Sequence, residues 1–273
     1  MISDVTLIDV PELTDMLATR TENLRLIHVA DPAAYLQAHL PGAIAVDPRE
    51  LVDGTPPASG RLPGLERLNQ LFSRLGHRPQ TEYILYDDEG GGWAGRFAWT
   101  LDVIGHRKWR YLNGGLHAWA ATDGALETGE GSVPATSKTD LRIDHEPIAE
   151  IPDVLAAIAD PAQIIWDVRS REEYLGTRRT AARAGHVPGA LHLDWMDLKD
   201  PGRALRLIDN LPQILASHGI DGTRPIITHC QTHHRSGLSY MIGRLLGFSD
   251  IRAYHGSWSE WGNRDDTPVS TAP

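Results

Sequence analysis

The sequence predicts an α/β protein made of two tandem domains, each a mostly parallel sheet flanked by helices. Three observations predict it. Apolar strand-like runs alternate with helix-like ones along the chain. The chain also repeats itself: HLPGAIAVD at 39–47 returns as HVPGALHLD at 186–194, and YLNGGLHAW at 111–119 as AYHGSWSEW at 253–261. Two helix-like runs end at glycines, Gly105 and Gly247, as a left-handed C-terminal cap requires. The offsets, 186 − 39 = 147 and 253 − 111 = 142, are about half of the 273 residues, so the repeat is one duplication and not a solenoid of short units.

In the first half, LRLIHVA (24–30), EYILYD (82–87) and RYLNG (110–114) read as buried strands. LERLNQLFSRLG (65–76) sets Leu65, Leu68, Leu71, Phe72 and Leu75 at helical spacing, and WAGRFAWTLDVIG (93–105) is a second apolar-faced helix. In the second half the strands are AQIIWDV (162–168), PIITH (225–229) and IRAYHG (251–256). The helices there are NLPQILASHG (210–219) and RSGLSYMIGRLLG (235–247). TGEGSVPATSKTD (128–140) has linker composition. The expected division is a first domain over 1–125, a linker over 126–142 and a second domain over 143–273.

Composition narrows the function classes. Apolar content of 41% supports a packed core, and no run is long enough to span a bilayer. With 26 basic and 36 acidic residues the net charge is −10, which repels nucleic acid and anionic membranes. An anionic substrate therefore needs a local positive site. The start, MISDVTLIDV, lacks the pattern of a secretory signal, and a single cysteine fits a reducing cytoplasm.

That cysteine, Cys230, stands in HCQTHHRSG (229–237), at the end of strand PIITH and just before a helix. Ligands in open parallel sheets sit beyond the carboxyl ends of the strands. The six residues CQTHHR must turn tightly, which points backbone N–H groups inward at a helix N-terminus. Such a ring favours thiolate over thiol, with the sulfur expected at its mouth, and so points to covalent chemistry at sulfur. His233, His234 and Arg235 are expected to add positive charge, the histidines when protonated. Two blander readings compete: a small buried hydrophobe, or a metal ligand with His229, His233 and His234. Adjacent histidines on one tight loop rarely converge on an ion.

DVR (167–169), GHVPGA (185–190), CQTHHR (230–235) and GSWSEW (256–261), with HLPGA (39–43) and NGGLHAW (113–119) in the same order, resemble the two-domain bacterial rhodaneses, which are thiosulfate sulfurtransferases. The resemblance implies that Cys230 takes sulfane sulfur from a small anionic donor, thiosulfate, and releases sulfite. A persulfide then passes sulfur to cyanide or another thiophilic acceptor, a thiol or a protein among them, with no metal or organic cofactor. Gln231, Thr232, His233, His234 and Arg235 would form the binding loop, with Arg235 anchoring it or holding the donor's sulfonate. Asp167 and Arg169 would orient that loop or form a structural ion pair, and Trp195 would line the pocket or pack in the core. His186 reads as turn chemistry, and Trp258 and Trp261 as core.

The first half carries Asp87 where the second has Cys230, so it is expected to be catalytically inactive and to cover one side of the site. Its loop, DDEGGGW, offers three carboxylates that would repel an anion. Four residues separate Cys230 from Arg235, one fewer than in tyrosine-phosphatase-like relatives, which suits sulfur transfer better than phosphate. Gln231 and Thr232 match neither the vertebrate thiosulfate type nor the mercaptopyruvate type, and Glu173 stands where the vertebrate type has an arginine. Alternatives are therefore a 3-mercaptopyruvate sulfurtransferase or a persulfide carrier for a partner protein.

Overall fold

The computed structural model describes residues 5–19 and 22–271. In the first half, β1 (Val5–Ile8), α1 (Val10–Ala18), β2 (Leu24–Val29), α2 (Pro32–Gln37) and β3 (Ile44–Val46) are followed by α3 (Leu65–Arg74), β4 (Glu82–Tyr86), α4 (Gly92–Val103), β5 (Trp109–Leu112) and α5 (Gly115–Ala120). The second half runs β6 (Ile148–Ala149), α6 (Ile151–Ala159), β7 (Ile164–Asp167), α7 (Arg171–Tyr174), β8 (Leu191–His192), then a short hairpin of β9 (Lys199–Asp200) and β10 (Arg206–Leu207). It closes with α8 (Leu211–Ser217), β11 (Ile226–His229), α9 (Arg235–Leu245), β12 (Ile251–Tyr254) and α10 (Ser257–Trp261).

Two five-stranded sheets result, ordered β1-β5-β4-β2-β3 and β6-β12-β11-β7-β8. All their pairings are parallel, so the two orders correspond strand for strand. The duplication read from the sequence is thus a duplication of topology. The β9–β10 hairpin, antiparallel, has no counterpart in the first half. The equivalence extends to side chains: His39 stacks on Tyr35 at 4.0 Å, and His186 on Tyr174 at 3.7 Å. His186 also bonds the Tyr174 carbonyl through Nδ1 at 2.7 Å, so it is a buried clamp and not merely turn chemistry.

The predicted helix stops at Gly105 and Gly247 both have φ of +75°, the left-handed conformation that glycine adopts without strain. The linker segment is extended and lies along α3, where the Ser137 amide donates to the Ser73 carbonyl at 3.0 Å and Thr139 Oγ1 to the Asn69 carbonyl at 2.9 Å. Among the described residues no helix is long and apolar enough to cross a membrane.

The halves meet through α4 and α9. One apolar cluster holds Phe97, Trp99 and Leu101 from α4 together with Leu238, Met241 and Ile242 from α9, while the outer face of each sheet has its own cluster. Both helices are buried on almost every side, which explains why their apolar patterns run beyond a single stripe. They cross backbone to backbone. A Cβ on Gly95 would stand 2.7 Å from the Leu238 nitrogen, and one on Gly237 2.5 Å from the Arg96 nitrogen. Polar bonds fix the crossing: Tyr240 donates to Asp102 Oδ2 at 2.7 Å, and Trp99 Nε1 to the Pro147 carbonyl at 2.9 Å. Gly95→Ala must push the helices apart, and the expected loss is about 1–3 kcal/mol of stability. Equilibrium denaturation measures it, and an unchanged midpoint would show that the crossing yields freely.

Candidate active site

β4 and β11 occupy equivalent places in the two sheets, and each ends in a six-residue turn into a helix: Asp87–Gly92 before α4 and Cys230–Arg235 before α9. The turns share their shape. Gly90 has φ of +86°, and His233, at the matching position, has φ of +55°. The amide of Leu116 bonds the Asp87 carbonyl at 3.0 Å, and that of Trp258 bonds the Cys230 carbonyl at 2.9 Å.

Their centres differ. In the first half the Asp87 carboxylate sits inside its own ring of amides. Oδ1 accepts from Glu89, Gly90 and Gly91 at 3.3, 3.0 and 2.8 Å, and Oδ2 from Ala94 at 3.0 Å. Burial and neighbouring Glu89 push this carboxyl up to about 6, against the pull of the amides. The expectation that the loop's carboxylates repel an anion is corrected here: one of them fills the anion cradle. Glu89 turns away toward the other half.

In the second half the ring is open. Cys230 and His233 donate their amides to Ser257 Oγ at 3.3 and 3.0 Å, and Gly237 bonds the His234 carbonyl at 2.9 Å. The amides of Gln231, Thr232, His234, Arg235 and Ser236 have no acceptor among the described residues. Ser257 was not singled out by sequence. The signal was available, because its equivalent in the first half is Gly115, with the same φ of +53°. A serine tolerates that conformation here because its hydroxyl bonds both amides and donates to the Tyr254 carbonyl at 2.9 Å.

Cys230 is a free thiol with no exposed surface. The sulfur was expected at the mouth of the ring. It lies one layer down instead, beneath a rim of partly exposed Gln231, Thr232, His234, Arg235 and Trp195. Gln231 is tied to Thr180 by bonds of 2.8 and 3.0 Å.

The expected source of positive charge needs a larger correction. His233 is fully buried, with Nδ1 2.7 Å from Ser236 Oγ, and burial together with Arg96 holds it well below the ordinary histidine value. It is neutral. His234 faces Glu89 across the domain boundary and stacks on Trp93 at 4.3 Å. Arg235 forms a two-bond fork with Glu173 at 2.6 and 3.0 Å. Burial pulls Arg235 down, but the Glu173 carboxylate outweighs it, and Glu173 is correspondingly held low. Arg235 therefore anchors the loop to α7. His229 lies 3.8 Å from Asp167 instead, so the three histidines serve three different partners and do not converge.

Asp167 and Arg169 form a fully buried ion pair, with Arg169 Nε 2.9 and 3.0 Å from the two carboxylate oxygens. Arg169 also donates to the Gly185 carbonyl at 2.8 Å and lies over Trp258. Among the described residues no hydrogen bond or ion pair joins this pair to residues 230–235. Trp195 packs against the core, edge-on to His234, with Lys199 Nζ 3.4 Å above its ring.

The first half covers the turn, as expected. A Cβ on Gly60 would lie 2.7 Å from Thr232 Cα, and Trp99 meets His233 edge-on at 4.6 Å. Arg96, which the sequence reading passed over, is fully buried in this cover. It donates to the carbonyls of Leu51 at 2.6 Å and Gly60 at 2.8 Å. Burial pulls its guanidinium down to about 9, and the charge of Cys230 opposes that pull.

The rhodanese-like domain family matches the chain twice, over residues 9–122 and 150–264. The thiosulfate sulfurtransferase of Pseudomonas aeruginosa is 47% identical over 246 residues, 90% of each chain. That of Azotobacter vinelandii is 48% identical over 246 residues, again 90% of each. Among solved structures, the anaerobic ergothioneine biosynthesis enzyme of Chlorobium limicola shares the fold with a TM-score of 0.84 at 20% identity, covering 98% of this chain and 70% of that one.

Two predictions concern the supports of the turn. Ser257→Gly keeps the backbone conformation but strips two buried amides of their acceptor, so stability should fall by about 1–3 kcal/mol. Chemical denaturation reads the change, and a variant as stable as the parent would remove Ser257 as the anchor. Burial pushes Asp167 up, but Arg169 outweighs it and holds the carboxyl below its ordinary value of 3.8. A depressed folded value means stabilisation present above 3.8 and lost as pH falls through the folded value. Arg169→Met should cost about 3–5 kcal/mol near neutrality, less in acid where Asp167 protonates. A pH-independent penalty would refute the pairing.

Proposed function

The chain belongs to the rhodanese-like family, and on that premise we propose that it is a thiosulfate sulfurtransferase whose sulfur travels on Cys230. The observation that supports this most is the contrast between the two turns. Asp87 closes one ring of amides with a permanent carboxylate. The matching turn offers unclaimed amides around a side chain that acquires negative charge only as thiolate or persulfide.

The thiolate of Cys230 attacks the outer sulfur of thiosulfate. A sulfur–sulfur bond forms to Cys230, the donor's own sulfur–sulfur bond breaks, and sulfite leaves with the electron pair. Cyanide, or another small thiophile, then attacks the terminal sulfur. The new bond forms to the acceptor, the persulfide bond breaks, and thiolate returns to Cys230. Each step is a two-electron displacement that balances without metal or organic cofactor. Arg235, occupied by Glu173, is assigned to holding the turn and not the donor. The first half is assigned the role of an inactive cover, and a reducing compartment such as the cytoplasm keeps the lone thiol available.

Incubation with thiosulfate should add one sulfur atom to the intact mass, cyanide should remove it, and Cys230→Ala should abolish both gain and turnover. Steady-state rates with thiosulfate should exceed those with 3-mercaptopyruvate. The reverse order would reassign the donor, and turnover surviving in Cys230→Ala would end the proposal.

A further inference from the structure

We infer that Arg96 is a positioning residue for the sulfur anion: the half of the chain without a cysteine supplies a standing positive charge to the cysteine turn, beside that of Arg235. The inference rests on Cys230 being the sulfur carrier. Arg96 is fully buried, and its bonds run to carbonyl oxygens alone, those of Leu51, Gly60 and Arg61. Among the described residues it has no carboxylate within ion-pair distance. A buried guanidinium without an anion is strongly unfavourable, so a fold that keeps one has an anion for it.

The neighbouring cations are already matched. Arg235 is forked to Glu173 and Arg169 to Asp167. Lys199 donates to the Glu89 carbonyl at 2.5 Å over the Trp195 ring and lies in the field of the carboxylates of Asp87, Glu89 and Asp194. Arg96 is left unmatched, and it is built against the sulfur turn from three sides. Its backbone is the surface on which Gly237 rests, with a Cβ there 3.0 Å from Arg96 Cα. The Trp99 ring is 4.6 Å from the Arg96 guanidinium and 4.6 Å from the His233 ring. Gly60, whose carbonyl accepts from Arg96 Nη1 at 2.8 Å, sits directly on Thr232. Cys230 is the acidic group that opposes the effect of burial on Arg96, and it acts in the same direction on Arg235. The first turn needs no such partner from outside, because its anion is held by four amides for good. A sulfur that changes between thiolate and persulfide needs a counter-charge that stays in place through both.

The test is the pH dependence of Cys230 alkylation by iodoacetamide, in the full chain and in Arg96→Gln and Arg96→Lys. The glutamine keeps two N–H donors and loses the charge; the lysine keeps the charge and loses the guanidinium's fork. With Arg96 as counter-charge, the Gln profile moves up by about one pH unit or more while the Lys profile stays within a few tenths of the parent. A Gln profile superimposed on the parent overturns the inference. So does an equal displacement of both, which would leave Arg96 only its carbonyl bonds. Should Arg96→Gln fail to fold, the parent and Cys230→Ala are compared by denaturation across the same pH range. A sulfur anion facing Arg96 makes the parent gain on Cys230→Ala as pH rises, and parallel curves overturn the inference. Failure of the sulfurtransferase reading would appear separately, as parent protein that gains no sulfur from thiosulfate, because alkylation reads the thiol in either case.

Discussion

The close passage of α4 over α9 is the constraint on which the rest depends. Both helices start at the carboxyl ends of equivalent strands, so bringing their first turns together brings together both strand–helix loops. Glycine at 95 and 237 permits the approach, and the shared core of Trp99, Phe97, Leu238 and Met241 holds it. Once the helices touch there, Glu89 must face His234, Gly60 must lie on Thr232, and Arg96 must be enclosed beside the cysteine turn. The active centre is therefore a property of the duplicated molecule, and neither half alone presents it.

Within that frame the two turns form an internal comparison. They have the same length, the same left-handed fourth residue and the same carbonyl anchor to the loop after the next strand. The side chains differ at all six positions, and the fifth residue differs in backbone as well, with φ of +103° at Gly91 and −89° at His234. A short carboxylate fits the amides and saturates them. A thiol leaves them waiting, and the surrounding side chains have adjusted accordingly: Ser257 replaces Gly115 to tie down two amides, and Glu173 closes on Arg235.

Much of this was legible in the sequence. Periodicity located β2, β4, β5, β7, β11, β12 and the long helices, since each carries a buried apolar run. The repeat located the domain pair. Cys230 stood out because a lone thiol at the end of a strand and the start of a helix has a physical reason to be there. Short elements such as β6, β8 and α7 escaped, since two to four residues carry no period. The electrostatics escaped for a different reason. Which carboxylate meets which cation depends on how two halves dock, and pairs such as Arg235–Glu173 or His234–Glu89 are separated by 62 and 145 residues. Arg96 escaped because an arginine within an apolar helix reads as a solvent-facing residue until its burial is known.

The depth of Cys230 bears on redox chemistry. A thiol with no exposed surface is not presented directly to a cysteine on another folded protein. Burial at the carboxyl end of β11 thus makes access, and not the thiol alone, a determinant of what can react with Cys230.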